Sequence, residues 1–197
     1  MGTITIFPAT VPAPQDLQAE LDRIFLRQVN AAIRVDGVDQ NFVFNYANSS
    51  GVFSSGGRPS ENSDWTNLKS AVPSKYPAIL TDPGLLFAAY VKSLSEPRTF
   101  GISEMPDNSQ EYGSVIRGDL EEDHTLNGYP PVLPLSLTNF SSNVTAHEIG
   151  HQLGLDLWNR NLRYHSERGT EFLMTPRLDG RTQPCRLDEK EWNQVNP

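Results

Sequence analysis

His147-Glu148-Ile149-Gly150-His151-Gln152-Leu153-Gly154 is the stretch on which the reading of this chain turns. Its first five residues have the form H-E-x-x-H. On an α-helix, residues four apart lie on one face, so both imidazoles can reach a single metal ion. Imidazole nitrogen is a favoured zinc ligand. Glu148 sits on the same turn, placed to act on a metal-bound water rather than to ligate. The chain has only 4 histidines in 197 residues, so composition alone would rarely produce this spacing. The competing reading is an amphipathic helix with two surface histidines.

Outward from the motif, Ser141 or Ser142 is the expected N-cap of its helix. Ala146, Ile149, Gly150 and Leu153 form a face expected to pack under a sheet. Upstream, residues 3–7 alternate as a short strand ended by Pro8. A helix of about 15 to 18 residues should begin near Asp16, with Leu17, Leu21, Ile24, Phe25 and Ala32 as its apolar stripe and Gly37 helping to stop it. Phe42, Phe44 and Tyr46 alternate as in a half-buried strand. The polar stretch from Asn48 to Asp64 reads as a surface loop. Further strands are expected at Leu85–Val91, Tyr112–Arg117 and Val132–Leu137, the last made irregular by Pro130, Pro131 and Pro134. A final helix is expected near Leu187–Val195. This order indicates an α+β or mixed α/β domain with a smaller irregular C-terminal lobe.

Composition narrows the classes. The length suits one domain spanning residues 1–197, and the 15 Pro and 14 Gly fit a soluble, loop-rich globular chain. A net charge of −8 argues against nucleic acid as the main partner. No stretch is apolar over the length of a membrane span. Charge is uneven: Arg160, Arg163, Arg168, Arg177, Arg181 and Arg186 cluster late, while Asp119, Glu121, Glu122 and Asp123 form an acidic run near His124. Oxygen ligands between Asp119 and Asn127 would suit calcium, but a flexible acidic loop is the simpler reading. The lone Cys185 excludes an internal disulfide and has no partner at ligand spacing. The first residues lack the basic and apolar regions of a signal peptide, as a mature secreted domain would, and a secreted domain is the expectation. Asn48, Asn139 and Asn143 begin N-x-Ser/Thr triplets, Asn143 too near the motif helix for a comfortable sugar site.

The longer motif, through Gly154-Leu155-Asp156, resembles the metzincin clan of zinc peptidases, whose pattern is H-E-x-x-H-x-x-G-x-x-H. Its wording is most similar to the matrix metalloproteinases. Phe172-Leu173-Met174-Thr175-Pro176 resembles the Met-turn that floors the zinc site in that clan. The specific likeness covers roughly residues 140–178, and the order of elements upstream agrees in outline. It implies a metzincin-like α+β fold: a twisted mixed sheet with two helices in an upper lobe (about 1–154) and a small irregular lower lobe (about 155–197) ending in a helix.

The chain departs from the pattern at Leu157, where the clan's third histidine belongs. A catalytic zinc takes three protein ligands, so another must serve. His165 is the first choice, nine residues before Met174, with the intervening segment as an insertion. His147 and His165 are 18 residues apart, which on an unbroken helix is about 27 Å. His165 can ligate only if the chain reverses after Gly154, a residue suited to φ > 0 at a helix end. Asp156, one position early, and Glu171, at a spacing seen in gluzincins, are the alternatives.

The resemblance implies a zinc endopeptidase acting on protein or peptide substrates, with one catalytic Zn2+ held by His147, His151 and His165. Glu148 would be its general base, and Met174 the residue beneath the metal. An extended substrate would lie along an edge strand, for which Tyr112–Arg117 is the candidate. Several clan members carry a tyrosine just after the Met-turn. Thr175-Pro176 stands there, so that role is unfilled or belongs to another residue such as Tyr164. Arg177 would line the substrate pocket and favour acidic segments. The rival classes are a catalytically inactive metzincin-like binding module, motivated by Leu157, and a gluzincin-type peptidase using Glu171. Neither a P-loop nor a G-x-S-x-G occurs.

Overall fold

The computed structural model of the chain describes residues 2–5, 12–39, 41–42, 52–55, 62–82, 84–96, 99–104, 113–118, 137–155, 173–174 and 186–187. They form a mixed α+β fold. Its strands are β1 (Gly2–Thr5), β2 (Gly37–Asp39), β3 (Val52–Phe53), β4 (Phe87–Val91), β5 (Ser93–Leu94), β6 (Gly101–Glu104) and β7 (Gly113–Arg117). The main sheet has five of these in the order β2-β1-β4-β7-β6, and β3 and β5 pair separately. Neighbours in the main sheet run parallel except β6, which is antiparallel to β7. The strands expected at 3–7, 85–91 and 112–117 correspond to β1, β4 and β7.

The first helix, α1, starts at Pro14 and runs to Leu21, then continues through a π-helical turn (Asp22–Leu26) into a last α-turn (Arg27–Val29). Proline at its start lacks only an N–H that would have no helical partner there. Leu17, Leu21, Ile24, Phe25 and Val29 are buried. A regular helix would follow Phe25 with residue 28; the extra residue of the π turn brings Val29 inward instead. Ala32, expected on this stripe, lies beyond the helix and is exposed. The stop is Asn30, at φ 56°, rather than Gly37, which begins β2. Asparagine tolerates the left-handed region because its short polar side chain bonds locally. Gln18 then secures the returning chain, donating to the Ile33 carbonyl at 2.8 Å and accepting from the Val35 N–H at 2.9 Å.

A second helix, α2 (Ser63–Lys75), was not anticipated, and its start lies within the stretch expected to be a surface loop. Asn62 caps it, accepting from the Asp64 N–H at 2.9 Å. The Asp64 carboxylate accepts from the Ser54 N–H at 2.8 Å, tying the helix start to β3. Trp65, Leu68 and Val72 recur on one face and are buried with Phe53 and Leu94. Burying each of these large side chains stabilises the fold by about 1.5–3 kcal/mol. Pro73 sits in the last turn and leaves the start of the helix intact. Phe42 is buried but lies in no strand, and residues 43–50 are outside the described set.

The third helix, α3 (Leu137–Gln152), carries the motif and is buried from Ser141 to its end. Ser141 and Ser142 therefore lie inside it and cap nothing. Leu137, expected to end a strand, is its first residue; residues 132–136 are outside the described set. The pleat of the sheet divides the two faces. Phe87, Ala89, Val91 and Val115 point toward α2, while Ala88, Tyr90 and Ile116 cluster with Val144 of α3. Ala146 and Ile149 pack with Leu17, Leu21, Ile24 and Phe25 of α1, and Leu153 joins them partly buried. The expected apolar face thus meets α1 instead of the sheet.

Three helices stand among the described residues, against two expected before residue 155, and the added one, α2, covers the sheet face opposite α3. No described helix is long and apolar enough to cross a membrane. Asn143 is buried and donates to Glu20 Oε1 at 3.0 Å, which rules it out as a sugar acceptor. Of the expected final helix only Leu187 is described. It is buried, and its N–H donates to Gln28 Oε1 at 3.2 Å.

Candidate metal centre

Helix α3 brings His147, Glu148 and His151 together. The two imidazoles lie edge to face with ring centroids 4.9 Å apart, and both are largely buried, at 7% and 6% exposure. Surface histidines of an ordinary amphipathic helix would not be so enclosed. His147 Nδ1 lies 2.6 Å from the Leu173 carbonyl oxygen. The carbonyl can only accept, so Nδ1 carries the proton and the ring's lone pair is on Nε2. A metal-binding histidine needs this second partner to fix its tautomer and ring plane.

Leu173 is itself held by its N–H, which donates to the Arg186 carbonyl at 2.8 Å. Met174 follows, fully buried. Its sulfur lies against Gly150, where an added Cβ would sit 2.6 Å from Sδ. Gly150 is the fourth residue of the pentapeptide, so the thioether is directly against the turn that carries both histidines. Met174 thus packs against the motif helix at Gly150.

The helix ends where the motif required. Gly154 has φ 80°, its N–H donates to the His151 carbonyl at 2.9 Å, and the Leu155 N–H donates to the Gly150 carbonyl at 2.9 Å. This is a Schellman turn, with the Leu155 side chain returning against Gly150. The helix therefore stops within three residues of the second histidine.

Glu148 faces the sheet. Ser103 Oγ on β6 is 2.6 Å from Glu148 Oε2 and 2.9 Å from the Glu148 carbonyl oxygen. Gly101, two residues earlier on the same face of β6, lies so near that a Cβ there would be 2.6 Å from both Cγ and Oε1 of Glu148. Burial pushes the Glu148 carboxyl up to about 7, and the Ser103 hydrogen bond opposes the rise. A carboxyl balanced near neutrality both accepts and releases a proton readily. Further along, Ser103 Oγ is 2.7 Å from Ser114 Oγ on β7, and Gln152 Nε2 donates to Ser114 Oγ at 2.5 Å and to the Phe87 carbonyl at 3.0 Å. One turn earlier, Thr145 donates to the Ser141 carbonyl at 2.8 Å and accepts from the Tyr90 hydroxyl at 2.7 Å. Burial raises the Tyr90 phenol well above its usual range, the Thr145 contact opposing it, so it remains protonated.

Ser103, Ser114, Gln152 and Gly101 were not singled out from the sequence. Their signal is faint: a four-residue strand with Gly and Ser two apart, facing a motif helix. The strand expected to be an edge, Tyr112–Arg117, is interior, since β7 pairs with both β4 and β6. Among the described residues the edge beside Glu148 is β6. His165, Glu171, Asp156, Leu157, Tyr164, Thr175, Arg177, Cys185 and the His124 region lie outside the described residues. Among the described residues no group of three or more His, Cys, Asp or Glu side chains converges as a metal site. The chain matches no protein-family model, and no curated protein is similar to it in sequence.

Proposed function

We propose that this chain is a zinc-dependent endopeptidase of metzincin type. The observation that carries it is the pair of enclosed imidazoles one turn apart, with His147 oriented by the Leu173 carbonyl and Met174 seated beneath the same turn. Two enclosed imidazoles one turn apart, the first oriented through its Nδ1, fit zinc, which prefers neutral imidazole ligands. His147 and His151 would hold the metal with His165 as third ligand, Asp156 and Glu171 being the alternatives. Zinc, when bound, acts as a Lewis acid toward a carbonyl oxygen and makes water more acidic.

The remaining work falls to the chain. Glu148 takes the proton of the attacking water on its carboxylate and returns it to the leaving amine. Among the described residues β6 pairs on one side only, and its other edge would offer the backbone donors and acceptors along which an extended peptide can lie, next to Glu148. Arg177, just after the Met174 segment, is proposed to favour acidic residues in the substrate.

The test is direct. Purified protein should contain one zinc per chain and cleave unfolded protein substrates, and a chelator should abolish cleavage. Glu148→Ala should retain zinc while losing about 10²- to 10⁴-fold in turnover. An inactive binding module, suggested by Leu157 at the clan's third-ligand position, would instead lack both zinc and cleavage.

A further inference from the structure

We propose that Ser103 is a positioning residue for the Glu148 carboxylate, held in place by a hydrogen-bond relay that leaves α3 at Gln152, crosses β7 and β6, and returns to α3 at Glu148. The inference rests on the peptidase function proposed above and adds to it a residue outside the motif.

The direction of each hydrogen bond follows from donor chemistry. The Gln152 amide can only donate from Nε2, so Ser114 Oγ accepts at 2.5 Å. The Ser114 proton then goes to Ser103 Oγ at 2.7 Å. This leaves the single Ser103 proton for Glu148, and Oε2 at 2.6 Å is nearer than the carbonyl oxygen at 2.9 Å. Gln152 is itself fixed by its second donation, to the Phe87 carbonyl of β4. Every step is anchored in regular structure. Ser103 and Ser114 are directly opposed in the β6–β7 pairing, and Gln152 lies four residues after Glu148 on the same helix face.

Two consequences follow for the carboxylate. Oε2 is committed to Ser103, and Oε1, over Gly101, is the oxygen that handles the proton. Any side chain at residue 101 would collide with Cγ, Cδ and Oε1, so glycine there leaves the carboxylate the space it occupies. The strand that positions the base is also the edge strand beside it. A peptide laid along β6 would restrain the backbone of Ser103 and through it the carboxylate, linking substrate binding to the geometry of proton transfer.

Ser103 is only partly buried, so Ser103→Ala should fold. It is expected to lower kcat by about 10- to 100-fold, the scale of a misplaced catalytic group, with KM within about twofold and zinc content unchanged. Ser103→Thr, which restores the hydroxyl, should recover most of the rate. Ser114→Ala, one step further back, should lower kcat by about threefold, and it stands in should Ser103→Ala not fold. Unchanged kcat in Ser103→Ala overturns the proposal while Glu148→Ala still reports on the peptidase function. A fall in zinc content matching the fall in kcat also overturns it, since the effect would then be structural. Should the wild type prove inactive, the δ-carbon NMR resonance of Glu148 in chelator-treated protein at fixed pH decides. A displaced resonance in Ser103→Ala supports the contact, and an unmoved one overturns it.

Discussion

The two sides of α3 solve different problems with different chemistry. Toward α1, Ala146 and Ile149 join Leu17, Leu21, Ile24 and Phe25 in an apolar contact, with the Asn143–Glu20 hydrogen bond at its margin. Toward the sheet, Thr145, Glu148 and Gln152 are as deeply buried but are held by hydrogen bonds to Tyr90, Ser103 and Ser114. Apolar contact is non-directional and fixes where the helix sits. Hydrogen bonds are directional and fix where its functional groups point. Substitutions on the first side should therefore appear mainly as stability, and on the second mainly as rate.

The largest effect that would break this division is on the sheet side. Gly101→Ala drives a Cβ into Glu148 and should lower turnover about 100-fold through a displaced carboxylate, with a melting temperature near wild type. Turnover and melting temperature measured together check it; equal losses in both would erase the distinction between the two sides. On the α1 side, Ile149→Ala should lower unfolding free energy by about 2–5 kcal/mol while the folded fraction keeps its kcat. Denaturant unfolding paired with active-site titration separates the two.

Next comes a pH effect on chelator-treated protein. The folded Glu148 carboxyl lies near 7, above its ordinary 4.5, so folding favours its protonated form. Its contribution is fully present below about pH 4.5 and is lost as pH rises through about 7, at no more than about 1.4 kcal/mol per pH unit. Glu148→Gln should flatten that slope in unfolding curves taken from pH 4 to 8. The smallest effect is Tyr90→Phe, which removes the donor to Thr145 and should cost about 1 kcal/mol without altering zinc content. A loss of zinc there would mean the hydrogen-bonded side also bears on where the helix sits.

How much of this was readable in advance depends on whether a feature is local. Two histidines four apart, and a glycine that can take φ > 0 three residues later, are properties of a short stretch, and the helix and its Schellman end are where the residues predict them. The stop of α1 was misplaced because Asn30 competes with Gly37 for the same backbone conformation and comes first. α2 escaped notice because Trp65, Leu68 and Val72 are sparse apolar positions in a polar segment, and Pro73 reads as a breaker. The face of α3 that meets the sheet is small and polar, so periodicity pointed only to the face that meets α1. Ser103 was out of reach for a different reason: its role depends on β6 pairing with β7 and on Glu148 lying 45 residues further along the chain.

The π turn of α1 has a meaning in residue counts. One surplus residue between Asp22 and Leu26 sets the phase of everything after it, so that Val29 faces the core and Gln28 meets the Leu187 N–H. Straightened to a plain α-helix at the same length, the segment would swing both side chains by about 100° around its axis. Deleting one residue within the turn would instead restore an uninterrupted α-helix and leave Val29 and Gln28 in phase with Leu17 and Leu21, because the π turn is what absorbs the surplus residue. The turn is thus a slot for one residue that the rest of the helix does not need.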